Sequence, residues 1–239
     1  MALVFIPGLS NTAAIYTRIK KELGDFDYHD ISLVRPSVKN FDEMLRAVKL
    51  DLPIGPFNLV GFSMGGYVAL ALALDPLIPV NSLVLINTRA VDDDELEVAQ
   101  RSRTIKLLSS PKVRFEGMTW GFYQTLVGKA HRNDRKLFEE VRSQALQVGA
   151  AATVAQLRAN QTRPDMTSFL SKVSVKTLLI SGSEDTLIPA QRGLELSAGI
   201  AGSELHVLKG CGHLGPLEQP AEIANLIKQF LYRRGDKFF

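Results

Sequence analysis

A chain of 239 residues with 46% hydrophobic and 22% charged residues is long enough to bury one large core with a small appended cap, with no need of covalent staples. Its net charge of +3 is too small to imply nucleic-acid binding, which needs a clustered basic face with aromatic platforms. A single cysteine, Cys211, excludes an internal disulfide and suits a cytoplasmic setting, while the first apolar run lacks a basic flank and no run reaches membrane-spanning length.

Taken in order, Ala2 to Ile6 is a continuous apolar run cut by Pro7-Gly8, the pattern of a strand buried on both faces. Ser10 or Thr12 caps a helix running to about Leu23, with Ile15, Ile19 and Leu23 on one face and Gly24 at its end. Tyr28 to Val34 is a second, more polar strand, closed by Pro36. Met44, Leu45, Val48 and Leu52 give helical spacing over 42–52, and Pro53 to Pro56 marks a turn. Asn58 to Val60 is a strand, Gly61 to Gly65 a sharp turn, and the Ala/Leu-rich run after it a buried helix. Ser82 to Asn87 is the next strand. Such alternation implies a parallel sheet wrapped by helices, with right-handed crossovers.

From about Arg89 to Val173 only helical patterns occur, over 94–108, 118–126, 134–148 and 150–160. Lys176 to Ser181 resumes the strand rhythm, Pro189 to Ala198 is a helix and Glu204 to Leu208 a last strand. Pro220 opens a final helix, with Arg233, Arg234 and Gly235 at its end.

The turn Gly61-Phe62-Ser63-Met64-Gly65 fits G-x-S-x-G, in which a serine on a strained strand-to-helix turn projects its hydroxyl above the sheet. Gly61 and Gly65 are glycine because neighbouring strand and helix atoms leave no room for a Cβ. A serine hydroxyl needs a base, and the base an orienting acid, in the chain order Ser, acid, His. Asp185, in Gly182-Ser183-Glu184-Asp185 after the fifth strand, is the expected acid; Glu184 is its neighbour and competitor, and Asp92 to Asp94 are more distant ones. His213, on the Gly210-Cys211-Gly212-His213 loop after the last strand, is the expected base. His206 lies within a strand, His29 and His131 lack a comparable setting, and the four histidines offer no metal-ligand spacing. Neither metal nor cofactor is expected.

These three motifs resemble those of α/β-hydrolase fold proteins of the serine carboxylesterase kind with a helical cap, over nearly the whole chain. The resemblance implies a mostly parallel sheet of about six strands flanked by helices, with a core domain of residues 1–88 and 174–239 and a cap of 89–173. It also implies an oxyanion hole formed by the backbone N–H groups of Leu9 and Met64. Pro7-Gly8 stands where many members have His-Gly, and the chain starts on the oxyanion-loop strand, so the usual N-terminal antiparallel strands are expected to be missing. Residues 28–34 then form an edge that Asp27, His29, Asp30 and Ser32 protect from pairing.

The expected reaction is hydrolysis of a small-molecule carboxylic ester through an acyl-enzyme on Ser63. Ser10, Phe62, Trp120, Phe122 and Tyr123 are the expected substrate pocket, although an aromatic stripe on a cap helix is more often packing. Arg101, Arg103, Lys106, Lys112 and Arg114 are either a dock for an acidic acyl carrier or, the preferred reading, a solvated face. The same three residues also serve acyltransferases, carbon–carbon bond hydrolases and cofactor-free haloperoxidases, and a ligand-binding receptor can keep the fold without turnover.

Overall fold

All six expected strands lie in one sheet in the computed structural model, which describes residues 1–232. The expected end of the final helix at Arg233, Arg234 and Gly235 lies outside the described residues. In chain order the elements are β1 (Ala2–Ile6), α1 (Thr17–Leu23) after a 3-10 turn, β2 (Tyr28–Asp30), α2 (Phe41–Lys49), β3 (Phe57–Phe62), α3 (Met64–Ala73) and β4 (Val80–Ile86). An insertion follows, with α4 (Glu95–Leu108), α5 (Trp120–Leu126) and α6 (Arg135–Gln161). The chain then completes β5 (Lys176–Gly182), α7 (Gln191–Gly199), β6 (Glu204–Leu208), the short α8 (Gly215–Glu218) and α9 (Pro220–Tyr232).

The strand order is β2-β1-β3-β4-β5-β6, and every neighbouring pair is parallel. The chain therefore moves to one side of β1 for β2 and to the other for β3. That reversal opens a crevice at the carboxyl ends of β1 and β3, where open α/β sheets hold their sites. Strand alternation divides the core into two layers. Leu3 and Phe5 face Ile15 of the 3-10 turn, Ile19 of α1 and Ile223 and Ile227 of α9, while Val4 and Ile6 face Val48, Val68 and Leu72 of α2 and α3. Each of these side chains is fully buried, a burial that contributes about 1.5–3 kcal/mol apiece.

Two differences from the sequence reading have local causes. The second strand ends at Asp30 rather than Val34. Its ladder with β1 runs through Ile31 N donating to Phe5 O at 2.9 Å, and the next donor in a parallel ladder is Pro7, which has no N–H. The long α6 is two helical arms joined at Gly149, whose φ of 77° and ψ of 164° are not helical, close to the two separate helices expected.

α4 buries none of its side chains, whereas α6 buries a continuous face that includes Gln144, Thr153 and Gln156. An ionic cluster fastens the start of the insertion to its end. The Asp93 carboxylate accepts from Arg89 and Arg163, at 2.8 Å each, and pairs with Arg101, while Glu97 takes the other side of Arg89. Burial pulls the Arg163 guanidinium down to about 10 although Asp93 opposes that shift. A buried cluster of this kind adds little net stability when complete, but removing its central carboxylate strands buried cations.

Candidate active site

β3 ends in a turn that only its sequence permits. Ser63 has φ 52° and ψ −118°, a conformation that L residues avoid, and it is followed at once by the first turn of α3. A Cβ on Gly61 would meet the Gly65 carbonyl oxygen at 2.5 Å, and one on Gly65 would collide with the carbonyl oxygens of Ile6 and Pro7. The strained geometry is fixed from both sides. Ser63 N donates to Ile86 O at 3.0 Å, and Thr88 Oγ1 donates to Ser63 O at 2.7 Å. Thr88 also packs where a Cβ on Gly66 would lie, 2.7 Å from its own Cβ.

The loops after β5 and β6 bring the other two side chains to the same place. His213 Nε2 lies 3.0 Å from Ser63 Oγ, and His213 Nδ1 lies 2.8 Å from Asp185 Oδ2. An ionised carboxylate only accepts, so Nδ1 carries the proton and Nε2 is left to accept from the serine hydroxyl. His213 and Asp185 are buried and Ser63 is half-buried, so the hydroxyl is partly accessible while the imidazole and carboxylate stay out of water. Asp185 is fully bonded: Oδ1 accepts from Leu187 N at 2.9 Å and Ile188 N at 2.8 Å, and Oδ2 accepts from Asn87 Nδ2 at 2.9 Å as well as from the imidazole.

Asn87 is a hub that the sequence did not reveal. It follows β4 with a φ of 45°, and its Nδ2 also approaches Gly212 O at 2.8 Å and His213 O at 3.1 Å. One amide group thus joins the acid loop to the histidine loop. The only signal in the sequence was an asparagine in the position where a strand ends, a residue that tolerates the left-handed region.

The histidine loop is also held by the insertion. His213 N donates to Leu126 O at 2.6 Å, and a Cβ on Gly212 would lie 2.5 Å from the Val127 carbonyl carbon. Glu218 Oε2 accepts from Gly128 N at 2.8 Å and Gly212 N at 3.0 Å, bridging insertion and loop. Burial pushes the Glu218 carboxyl up, against the pull of those N–H donors. Burial likewise raises the thiol of Cys211, which is fully enclosed and inert as a nucleophile in that state.

The competing residues are engaged elsewhere. Glu184 Oε2 accepts from Lys129 N at 2.7 Å, Asp94 caps α4 and Asp93 centres the arginine cluster. His206 pairs in register with Ile180 inside β6, and His29 Nε2 contacts Asp51 O at 2.7 Å. Among the described residues no group of three His, Cys, Asp or Glu side chains could hold a metal.

Of the expected pocket residues, Phe62 lies beneath the imidazole, ring centroids 5.2 Å apart, and Ser10 sits on the loop after β1. Trp120 stacks on Tyr123 at 5.4 Å and meets Phe138 edge-on at 5.1 Å. Tyr123 is fully buried and donates its hydroxyl to His131 O at 2.9 Å, whereas Phe122 is 50% exposed. A surface groove of about 440 Å³ runs beside them, lined by Gly121, Gln124, Thr125, Arg132 and Thr186.

A parallel sheet with a strained serine at the C-terminal end of one strand and a histidine and acid on loops of two others defines the architecture of the α/β hydrolases. A model of the alpha/beta hydrolase fold family matches residues 2–220, and the chain belongs to that family. Over 81 residues, 34% of this chain, it is 41% identical to a 2-hydroxy-6-oxononadienedioate/2-hydroxy-6-oxononatrienedioate hydrolase of Klebsiella pneumoniae; that stretch spans 28% of the relative's length. Among solved structures it is similar to a thermophilic esterase from Thermogutta terrifontis, with a TM-score of 0.83 and 24% identity, covering 98% of this chain and 90% of that one. It is also similar to MenH from S. aureus, with a TM-score of 0.78 and 20% identity over 98% of this chain and 94% of that one. At these identities the structural likeness is one of fold.

Proposed function

We propose that this protein is a serine hydrolase that cleaves a carboxylic ester through an acyl-enzyme intermediate on Ser63. The observation that carries the reading is the unbroken chain of contacts Ser63 Oγ, His213 Nε2, His213 Nδ1 and Asp185 Oδ2, at 3.0 and 2.8 Å. In the proposed reaction Ser63 Oγ attacks the ester carbonyl carbon as its proton passes to His213 Nε2, and Asp185 stabilises the imidazolium. The resulting oxyanion is met by the backbone N–H groups of Leu9 and Met64, the latter being the first N–H of α3 and favoured further by the helix dipole. The alcohol leaves with the proton from His213. Water, deprotonated by the same imidazole, then attacks the acyl carbon and releases Ser63.

Residues 89–173 act as the cap, and Ser10, Phe62 and the exposed ring of Phe122 wall the acyl side, while Trp120 and the fully buried Tyr123 pack behind them in the core. A second reading is favoured by the 81-residue likeness to the oxononadienedioate hydrolase: the same serine attacking a ketone carbonyl and expelling a carbon leaving group. The substrate is a small molecule in either case, and no described helix is long and apolar enough to cross a membrane.

Turnover of a p-nitrophenyl ester chain-length series, set against a 2-hydroxy-6-oxo dienedioate, separates the readings. Ester turnover that falls at least about a thousandfold in Ser63→Ala and in His213→Ala, with unchanged circular dichroism, supports the esterase. Turnover of the dienedioate alone favours the carbon–carbon hydrolase, and near-parental ester rates in either variant refute that residue's role.

A further inference from the structure

The loop after β1 reverses at Gly8-Leu9-Ser10-Asn11, where Asn11 N donates to Gly8 O at 3.2 Å and Ser10 has a φ of 58°. A closed four-residue turn with positive φ at its third residue is of the type II kind, in which glycine or asparagine is usual. The type I form of the same turn differs by a flip of the central peptide and needs no positive φ. A serine in this place carries strain that its surroundings must hold.

The holding group comes from the insertion, 146 residues further along the chain. Ser10 N donates to Gln156 Oε1 at 2.9 Å, and Gln156 Nε2 donates to Leu33 O at 3.0 Å, which fixes the orientation of the side-chain amide. Gln156 is fully buried, on the arm of α6 that follows Gly149. A flip of the Leu9–Ser10 peptide would turn the Ser10 N–H away and leave the buried Oε1 without a donor. The neighbouring peptide is fixed too: with the Gly8 carbonyl held toward Asn11 N, planarity turns the Leu9 N–H to the opposite side. The whole turn is seated on the residue before the nucleophile, since a Cβ on Gly8 would lie 2.9 Å from Phe62 Cε1.

We propose that Gln156 is a positioning residue for the oxyanion hole: by holding the Ser10 N–H it anchors the strained turn to the insertion, and with it the place of Leu9 one residue earlier. The insertion thereby does more than roof the site. This rests on the reading of Leu9 as an oxyanion donor and Ser63 as the nucleophile.

The test is pre-steady-state acylation by p-nitrophenyl acetate, expressed per serine titrated with a fluorophosphonate, so that only folded sites are counted. Gln156→Met, which keeps the length and removes both bonds, is expected to lower the acylation rate constant at least about tenfold while KM stays within about threefold. Gln156→Ala carries the same expectation and stands in should Met at 156 not fold. Adding Ser10→Gly, a residue that holds positive φ without strain, is expected to recover several-fold of the lost rate. Parental acylation in the Gln156 variants, or a double variant no faster than the single, overturns the proposal. If the parent protein itself is not titrated by the fluorophosphonate, the nucleophile assignment fails instead, which is a separate result.

Discussion

Glu218 shows how one side chain can be structural and costly together. Its Oε2 serves two N–H groups, while Oε1 is buried with no bonded partner, and burial raises its pKa above the ordinary 4.5. Between 4.5 and the raised folded value, the folded chain keeps a proton that the unfolded chain has released. Stability from this group is therefore fully present below 4.5 and falls as pH rises through that window. Glu218→Gln keeps an acceptor oxygen for Gly128 and Gly212 and has no proton to lose. The melting temperature of the parent relative to this variant is expected to drop between about pH 4 and pH 7; a difference that stays constant over that range contradicts the account. That Ser63, Asp185 and His213 lie on loops that meet was legible in the sequence, because each is in a loop whose glycines and chain order are themselves the signal. Asn87, Thr88 and Gln156 were not legible, because their roles are set by partners between 25 and 146 residues away, and an isolated Asn, Thr or Gln carries no pattern.

Elements were legible in proportion to the regularity of their apolar pattern. β1 and β6 fall on the expected residues: β1 is an uninterrupted apolar run cut by Pro7-Gly8, and β6 is a short run closed by Lys209-Gly210. β2 was overestimated because an apolar pattern speaks of burial rather than ladder bonds: Ile31 and Leu33 are buried, yet Pro7 offers their neighbour strand no donor. The elbow is the element in which backbone and chemistry coincide, since the strain at Ser63 is sustained by the close approach of α3 to β1. Gly65→Ala would force a methyl group onto the carbonyl oxygens of Ile6 and Pro7, which cannot move without breaking β1. We expect this variant to lose about 3 kcal/mol or more in denaturant unfolding, or to be insoluble. A loss below about 0.5 kcal/mol would show that the elbow relaxes freely and that its strain is not imposed by packing.

At the scale of the molecule, a six-stranded parallel sheet brings three loops to one end, and a helical insertion clasps two of them. Leu126 and Gly128 hold the histidine loop, and Gln144, Thr153 and Gln156 meet the loop after β1. The alternation of strands and helices made the sheet legible, and the change of rhythm near Arg89 coincides with the helical stretch between β4 and β5. How the insertion touches the loops was not legible, because those contacts run through backbone groups and polar side chains that an apolar pattern does not register.

The central claim is that Ser63 is a nucleophile activated by His213. It is tested most directly by intact-mass and peptide mapping of the protein after treatment with a fluorophosphonate. The account requires one adduct, on Ser63, absent in Ser63→Ala and formed at least about a thousandfold more slowly in His213→Ala. An adduct on another residue, or an undiminished rate without the imidazole, would contradict it.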